Sequence, residues 1–343
     1  MNKLRIKKDS KFALVGHGFA MYHLYKVLLK KKLSPPIIIT HKKKFHIKDI
    51  KELGKNKKLY KSIYEFPKSA KIFYVEDINN KISQKILKKN KITHIFSTSC
   101  RFIFKKNILK NFNNKIFNIH GSILPEERGS GVFTYRIMNS KYFCGATIHL
   151  INSLIDDGKI LLQSKKKTIS KNALPIDFLI KTNQIYSKLI NSFVYRINLN
   201  KEFKLKKQKK EISTYMPRFF TKKMGFINFF HSGKDIVKFI KSCSYPYSGA
   251  HCLINNKNNS KINIFNASFI QGTRNHPFTV GKIIFENTKF IKIVVTDGFL
   301  KISLKDFKMK NIKKTNLLGK TLYNYFGDIR ESYLSRTSVF KYY

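Results

Sequence analysis

The segment NIHGSILP, Asn118 to Pro125, places an amide and an imidazole on alternate positions directly after an apolar pair, Ile116 and Phe117. In an extended strand, side chains at i and i+2 share a face, so Asn118 and His120 point the same way at the strand's carboxyl end. The amide can donate to a developing oxyanion, and the imidazole can move a proton near neutral pH. Gly121 lets the backbone turn sharply, Leu124 faces inward, and Pro125 stops any helix. Chemistry of this kind needs a third group to orient the imidazole or accept the proton. The stretch CGATIHLINSLIDDGKILLQ, Cys144 to Gln163, reads as strand, turn, strand, with Asp156, Asp157 and Gly158 on its loop. An acid there can return to the same mouth. Each piece alone has an ordinary structural reading, since a lone strand His is usually a core residue and Asp-Asp-Gly usually a turn.

The surrounding pattern supplies the elements that must hold these groups. KFALVGHGFAMYHLYKVLLKKKL predicts a buried strand over 12–15, a Gly-x-Gly turn, and a helix whose stripe is Met21, Leu24, Leu28 and Leu29. Strands follow in PPIIIT, SAKIFYVED, THIFSTS and KIFNIH, with helices through ISQKILKKN and FKKNILKNF. This alternation predicts an α/β, Rossmann-like, mostly parallel sheet, with ligands beyond the carboxyl ends of its strands. Gly16-His17-Gly18 is read as a tight βα turn, because Met21 stands where a dinucleotide fingerprint needs a third glycine. An amphipathic helix is predicted over 173–196. The Lys-rich run over 201–214 is read as a linker. From Tyr215 on, short β-rich stretches separated by Gly, Asn and Asp predict a small, OB-like β-barrel domain over 215–310. The catalytic domain is accordingly placed at 1–200, and 311–343 is left as a tail without an assigned role.

Composition narrows the class. At 343 residues the chain has room for two domains and a substantial core. Cys100, Cys144, Cys243 and Cys252 are far apart and form no CxxC cluster, so reduced thiols are expected, with neither a disulfide framework nor a metal site. No apolar run approaches the roughly 20 residues of a membrane helix, and a cytoplasmic protein with no membrane partner is expected. The net charge of +50 is the kind of footprint left by phosphate binding. Lys is spread through every segment, however, and a solvated Lys surface from compositional bias is the plainer reading.

FNIHGSILPEERG followed by GATIHLINSLIDDGKILLQ resembles the 10-formyltetrahydrofolate-dependent formyltransferase family, which includes glycinamide ribonucleotide, methionyl-tRNA and sugar-amine formyltransferases. The family pattern Asn-x-His-x-Ser-x-Leu-Pro, then Arg-Gly, then a Leu-Asp-x-Gly loop falls on Asn118, His120, Ser122, Leu124, Pro125, Arg128, Gly129 and the Ile155 to Gly158 loop. The resemblance implies a catalytic trio of Asn118, His120 and Asp156. Asn118 and protonated His120 would stabilise the oxyanion, while Asp156 holds His120 and helps remove a proton from the attacking amine. The folate co-substrate is expected between the loop of Phe102, Ile103 and Phe104 and the loop of Ile155 and Asp157. Arg128, Ser122 and Phe133 are placed with the acceptor, and no metal is called for. His149 is read as a structural mid-strand residue. The stretch from Tyr215 onward looks like the C-terminal domain of methionyl-tRNA formyltransferases.

The acceptor is the finer question. Methionyl-tRNA formyltransferases tend to carry Gly-Ala-Ala-Pro after the Arg-Gly and a Pro-Asp-Arg-Pro type loop after the second strand. This chain has Ser130-Gly131-Val132-Phe133-Thr134-Tyr135 and THKKKFHIKDIKEL. Glycine and aromatic residues at the first position look more like enzymes acting on nucleotide-linked amino sugars, where a ring can pack on a sugar or base. A nucleotide-sugar amine is therefore the expected acceptor, with initiator methionyl-tRNA as the alternative. A formyltetrahydrofolate deformylase and a non-catalytic polyanion-binding module are the other classes left open.

Overall fold

The computed structural model describes residues 3–53, 59–254, 261–309 and 317–323. The chain divides into two compact units. One comprises residues 1–132, 142–171 and 177–218, and the other 133–141, 172–176 and the residues from 219 on.

The first unit is built on a seven-stranded sheet. Its strands are β1 (Phe12–Gly16), β2 (Ile37–Thr40), β3 (Ile72–Tyr74), β4 (His94–Thr98), β5 (Ile116–His120), β6 (Thr147–Leu150) and β7 (Ile160–Gln163). Their spatial order is β7-β6-β5-β4-β1-β2-β3. The pairs from β5 to β3 are parallel, and β6 and β7 are added antiparallel. Helices α1 (Gly18–Lys30), α2 (Lys43–Leu53), α3 (Lys81–Lys89) and α4 (Lys106–Asn111) connect the parallel strands, and α5 (Pro175–Asn198) follows the sheet. The expected mostly parallel α/β sheet is thus what forms. Strands β1, β2 and β4 are buried along their whole length, as strands covered on both faces must be. This is why β1 and β2 read as near-continuous apolar runs instead of alternating ones. Met21, Leu24 and Leu28 of α1 are buried at helical spacing, whereas Leu29 is exposed. Phe96 of β4, Phe117 of β5 and Phe193 of α5 form an aromatic core with ring centroids 5.1 to 6.3 Å apart.

The segment 201–214 is not a free linker. Phe203–Lys204 pairs antiparallel with Lys3–Leu4, and Phe203 is buried with its ring 5.3 Å from that of Phe193. The backbone of Lys206 exchanges hydrogen bonds with Ile160 at the start of β7. Lys-rich composition hid this, because strand pairing is made by backbone groups that any side chain carries.

The second unit contains α6 (Gly233–Ser242) and strands β8 (Ala250–Ile254), β9 (Lys261–Ile264), β10 (Ser268–Gln271), β11 (Ile283–Glu286), β12 (Phe290–Val295), β13 (Gly298–Ser303), β14 (Phe307–Met309) and β15 (Leu322–Tyr323). They form two four-stranded antiparallel sheets, ordered β14-β9-β8-β15 and β10-β13-β12-β11. Ile236 and Ile240 of α6 share one core with Ile262, Ile293 and Leu300. Ser232 caps α6 by accepting the Asp235 N–H at 3.2 Å. The short helix Val132–Met138 sends most of its residues to this unit, where Thr134 Oγ1 donates to Ser242 O at 3.3 Å. The boundary at residue 310 falls short, since Leu317 and Leu322 lie in the core and β15 pairs with β8. A two-residue edge strand is too short to leave a period in the sequence. The rest of the 311–343 tail lies outside the described residues. No described helix is long and apolar enough to cross a membrane.

Candidate active site

Asn118 and His120 stand two apart at the carboxyl end of β5, and the antiparallel register sets Asn118 opposite His149 on β6. That register decides how the acid arrives. Because β6 runs against β5, its following loop leaves at the amino end of β5 and must fold back to reach His120. Gly158 permits the fold, since a Cβ there would sit 1.8 Å from Leu150 O. Asp156 adopts a left-handed φ of 51°, a backbone state that costs a non-glycine residue about 1 kcal/mol or more and is tolerated where surrounding contacts enforce it.

Those contacts come largely from Gln208. Its Nε2 donates to Asp156 O at 2.7 Å and to Gly158 O at 2.8 Å, while its Oε1 accepts from Arg128 Nε and Nη2 at 3.1 and 2.9 Å. Arg128 in turn pairs with Asp157 Oδ1 at 2.6 Å. The side chain of Gln208 therefore fixes two loops at once. Sequence reading missed it, as a single Gln in a Lys-rich run carries no pattern. Replacing Gln208 with Ala strips both carbonyls of their donors, and we expect about 1 to 3 kcal/mol of lost stability in urea unfolding. An unchanged midpoint would remove Gln208 from this role.

The trio converges as expected. Asp156 Oδ2 lies 3.6 Å from His120 Nδ1 and accepts the Gly129 N–H at 2.9 Å, and Asp156 Oδ1 lies 3.4 Å from His149 Nε2. His120 Nε2 donates to Glu127 O at 2.8 Å, which leaves Nδ1 as the lone-pair nitrogen of the neutral ring, facing Asp156. His149 Nδ1 donates to Leu150 O at 2.7 Å, so its Nε2, 3.2 Å from Asn118 Nδ2 and 3.4 Å from Asp156 Oδ1, accepts from the amide when the ring is neutral and donates to the carboxylate when it is protonated. His149 thereby orients the amide in addition to filling its strand.

Burial works to raise the Asp156 pKa. The charge of His120, the hydrogen bond and charge of His149 and the Gly129 N–H outweigh it and hold the carboxyl well below the usual carboxylate range. A carboxylate so depressed is a weak base. Its place beside His120 Nδ1 suits a group that steadies charge on that ring.

The remaining expected site residues divide. Ile103 is 52 % exposed and Ile155 39 % exposed, so both loops offer apolar surface to a ligand. Phe102 is half-buried against the core. Phe104 is a correction: it is buried with Val15, Ile95 and Ile108, because the chain turns inward there to start α4. Ser122 is a second correction, fully buried and donating to Glu127 O at 2.6 Å, where it staples the turn after β5. Arg128 and Asp157 are paired with each other, so both brace the loop. Phe133 is half-buried and falls in the second unit.

Comparison with known proteins follows the same division of the chain. The family model described as formyl transferase matches residues 25–174, and that described as formyl transferase, C-terminal domain, matches 220–318. The bifunctional polymyxin resistance protein ArnA of Wigglesworthia glossinidia brevipalpis is 31 % identical over 185 residues, 52 % of this chain and 27 % of that protein. The methionyl-tRNA formyltransferase of Finegoldia magna is 27 % identical over 218 residues, covering 63 % of this chain and 66 % of the relative. The chain thus spans about a quarter of one relative and just under two thirds of the other. Among solved structures, WlaRD, a sugar 3N-formyl transferase crystallised in the presence of dTDP and 5-N-formyl-THF, superposes with a TM-score of 0.61 at 22 % identity, covering 89 % of this chain and 99 % of that one. At that identity the likeness speaks for the fold.

Proposed function

The chain belongs to the formyltransferase family, and from that premise we propose that it moves the formyl group of 10-formyltetrahydrofolate to the primary amine of a nucleotide-linked amino sugar. The observation that carries the reaction class is the convergence of Asn118, His120 and Asp156, with His120 Nδ1 and Asp156 Oδ2 3.6 Å apart. The donor, when bound, supplies an activated formyl carbon and a leaving nitrogen. Ile103 and Ile155 offer the apolar surface its ring system needs.

Each residue then has one task. His120 Nδ1 takes the proton of the attacking amine, and Asp156 stabilises the imidazolium so formed. The Glu127 carbonyl keeps the ring in the tautomer that leaves Nδ1 basic. His120 returns the same proton to the leaving nitrogen. Asn118 spends one amide hydrogen on His149 and directs the other to the oxyanion. This division follows the general logic of an acid orienting a histidine base, with an amide as the oxyanion donor.

For the acceptor, the Gly-containing and aromatic run from Ser130 to Tyr135 supports a sugar amine. Initiator methionyl-tRNA is the second reading, favoured by the charge of +50 and by the methionyl-tRNA formyltransferases among the relatives. Spectroscopic release of tetrahydrofolate, followed with a panel of dTDP- and UDP-linked amino sugars and with charged initiator tRNA, separates them. Turnover with a sugar amine is expected, and turnover with tRNA alone would overturn that choice.

A further inference from the structure

The carboxyl edge of the sheet carries a second cluster that the formyl-transfer reading does not use. His17 follows β1, His41 follows β2, and Asp49 sits on α2. His17 Nδ1 and His41 Nε2 lie 3.9 and 3.8 Å from the same oxygen, Asp49 Oδ2. All three donor atoms fall within 4.8 Å of one another. His41 is 2 % exposed and Asp49 7 % exposed. None of the three atoms has a hydrogen-bond partner among the described residues, and neither has the other ring nitrogen of His41. Buried polar atoms are nearly always paired, so several unpaired ones converging on one point ask for a ligand between them.

The neighbours fix the geometry. Arg101 Nη2 donates to Asp49 Oδ1 at 2.6 Å, which turns Oδ2 toward the histidines. Thr40 Oγ1 donates to Gly16 O at 2.7 Å and so accepts from His46 Nε2 at 3.0 Å. The His46 ring, locked in this way, stacks on His41 at 4.0 Å between centroids and sets its plane. Gly16 lets the end of β1 lie close against β4, as a Cβ there would sit 1.9 Å from Thr98 O.

We propose that His17, His41 and Asp49 bind one divalent transition-metal ion of the zinc type, through His17 Nδ1, His41 Nε2 and Asp49 Oδ2. Two imidazoles and one carboxylate suit zinc, cobalt, nickel or iron and disfavour magnesium and calcium, which take oxygen sets. Bonds of about 2 Å in a tetrahedral site place donors about 3.3 Å apart, so the two histidine–carboxylate distances close by roughly half an ångström on the ion. The Arg101 and His46 contacts act as the outer shell that holds ligands in place. The site stands on its own residues and does not depend on the identity of the formyl acceptor.

The test is equilibrium dialysis of the full chain, stripped with chelator, against Zn2+ and in parallel against Co2+ and Mg2+, with metal analysis. One Zn2+ per chain is expected, Mg2+ should not compete, and bound Co2+ should show the visible absorption of a low-coordinate site. His41→Ala and Asp49→Asn should each weaken Zn2+ binding by at least about 100-fold, more than outer-shell changes typically cost. Asp49→Asn keeps the side-chain volume, so it decides the matter if His41→Ala does not fold. A wild-type chain that takes up no stoichiometric metal, or variants that bind as the wild type does, would overturn the site.

Discussion

Asn118→Ala is expected to lower kcat by about 100- to 1000-fold while leaving the fold intact, the usual cost of removing one oxyanion donor. The amide lies at the mouth of β5 on a strand otherwise buried in the sheet, so truncation leaves the strand's pairing untouched. Its loss also deprives His149 Nε2 of its donor, at about 1 kcal/mol or somewhat more of stability, which a folded two-unit chain absorbs. Steady-state kinetics with circular dichroism on the same preparation checks both halves. Turnover near that of the wild type would remove Asn118 from the chemistry.

Asp156→Asn should be at least as damaging, on the order of 1000-fold in kcat, and it carries a second signature. An amide facing His120 Nδ1 can donate to it and tie up the lone pair on which the proposed proton transfer depends, so the ring is held in the wrong state. The effect on stability has a defined sign. The carboxyl is held below its ordinary value in the folded chain by His120 and His149 against the opposing pull of burial. A depressed acid contributes stability above its unfolded pKa, near about 4, and that contribution is lost as the pH falls through the folded value. The stability gap between wild type and Asp156→Asn should therefore be full at neutral pH and shrink progressively below about pH 4. Urea unfolding at a series of pH values reads it. A gap that stays constant into the acid range would show that the charge pairing contributes nothing.

Much of the fold was legible because parallel strands buried on both faces leave near-continuous apolar runs, as in KFALVG and PPIIIT. The trio was legible for a different reason: Asn118 and His120 are coupled by strand periodicity, and Asp156 sits on the next hairpin. What escaped depends on the third dimension. Phe104 and Ser122 carry types that suit a pocket or a ligand, yet the chain turns each inward. Arg128 and Asp157 resemble ligand groups until the loops bring them within 2.6 Å of each other. Gln208 lies 52 residues from Asp156 in a run whose composition reads as solvated linker. His17, His41 and Asp49 come from separate loops and a helix, and only the sheet order makes them neighbours. The cysteine spacing, which argued against a metal, says nothing about a site built from histidine and carboxylate.

The proposed reaction is direct transfer of a formyl group between two nitrogens. The most direct measurement follows an isotopically labelled formyl carbon from 10-formyltetrahydrofolate by mass spectrometry, in the wild type and in Asn118→Ala, with amino-sugar nucleotides present. The predicted result is label on the acceptor amine in the wild type and almost none with the variant. Label released as free formate, at a rate indifferent to any amine, would contradict transfer and make the centre hydrolytic.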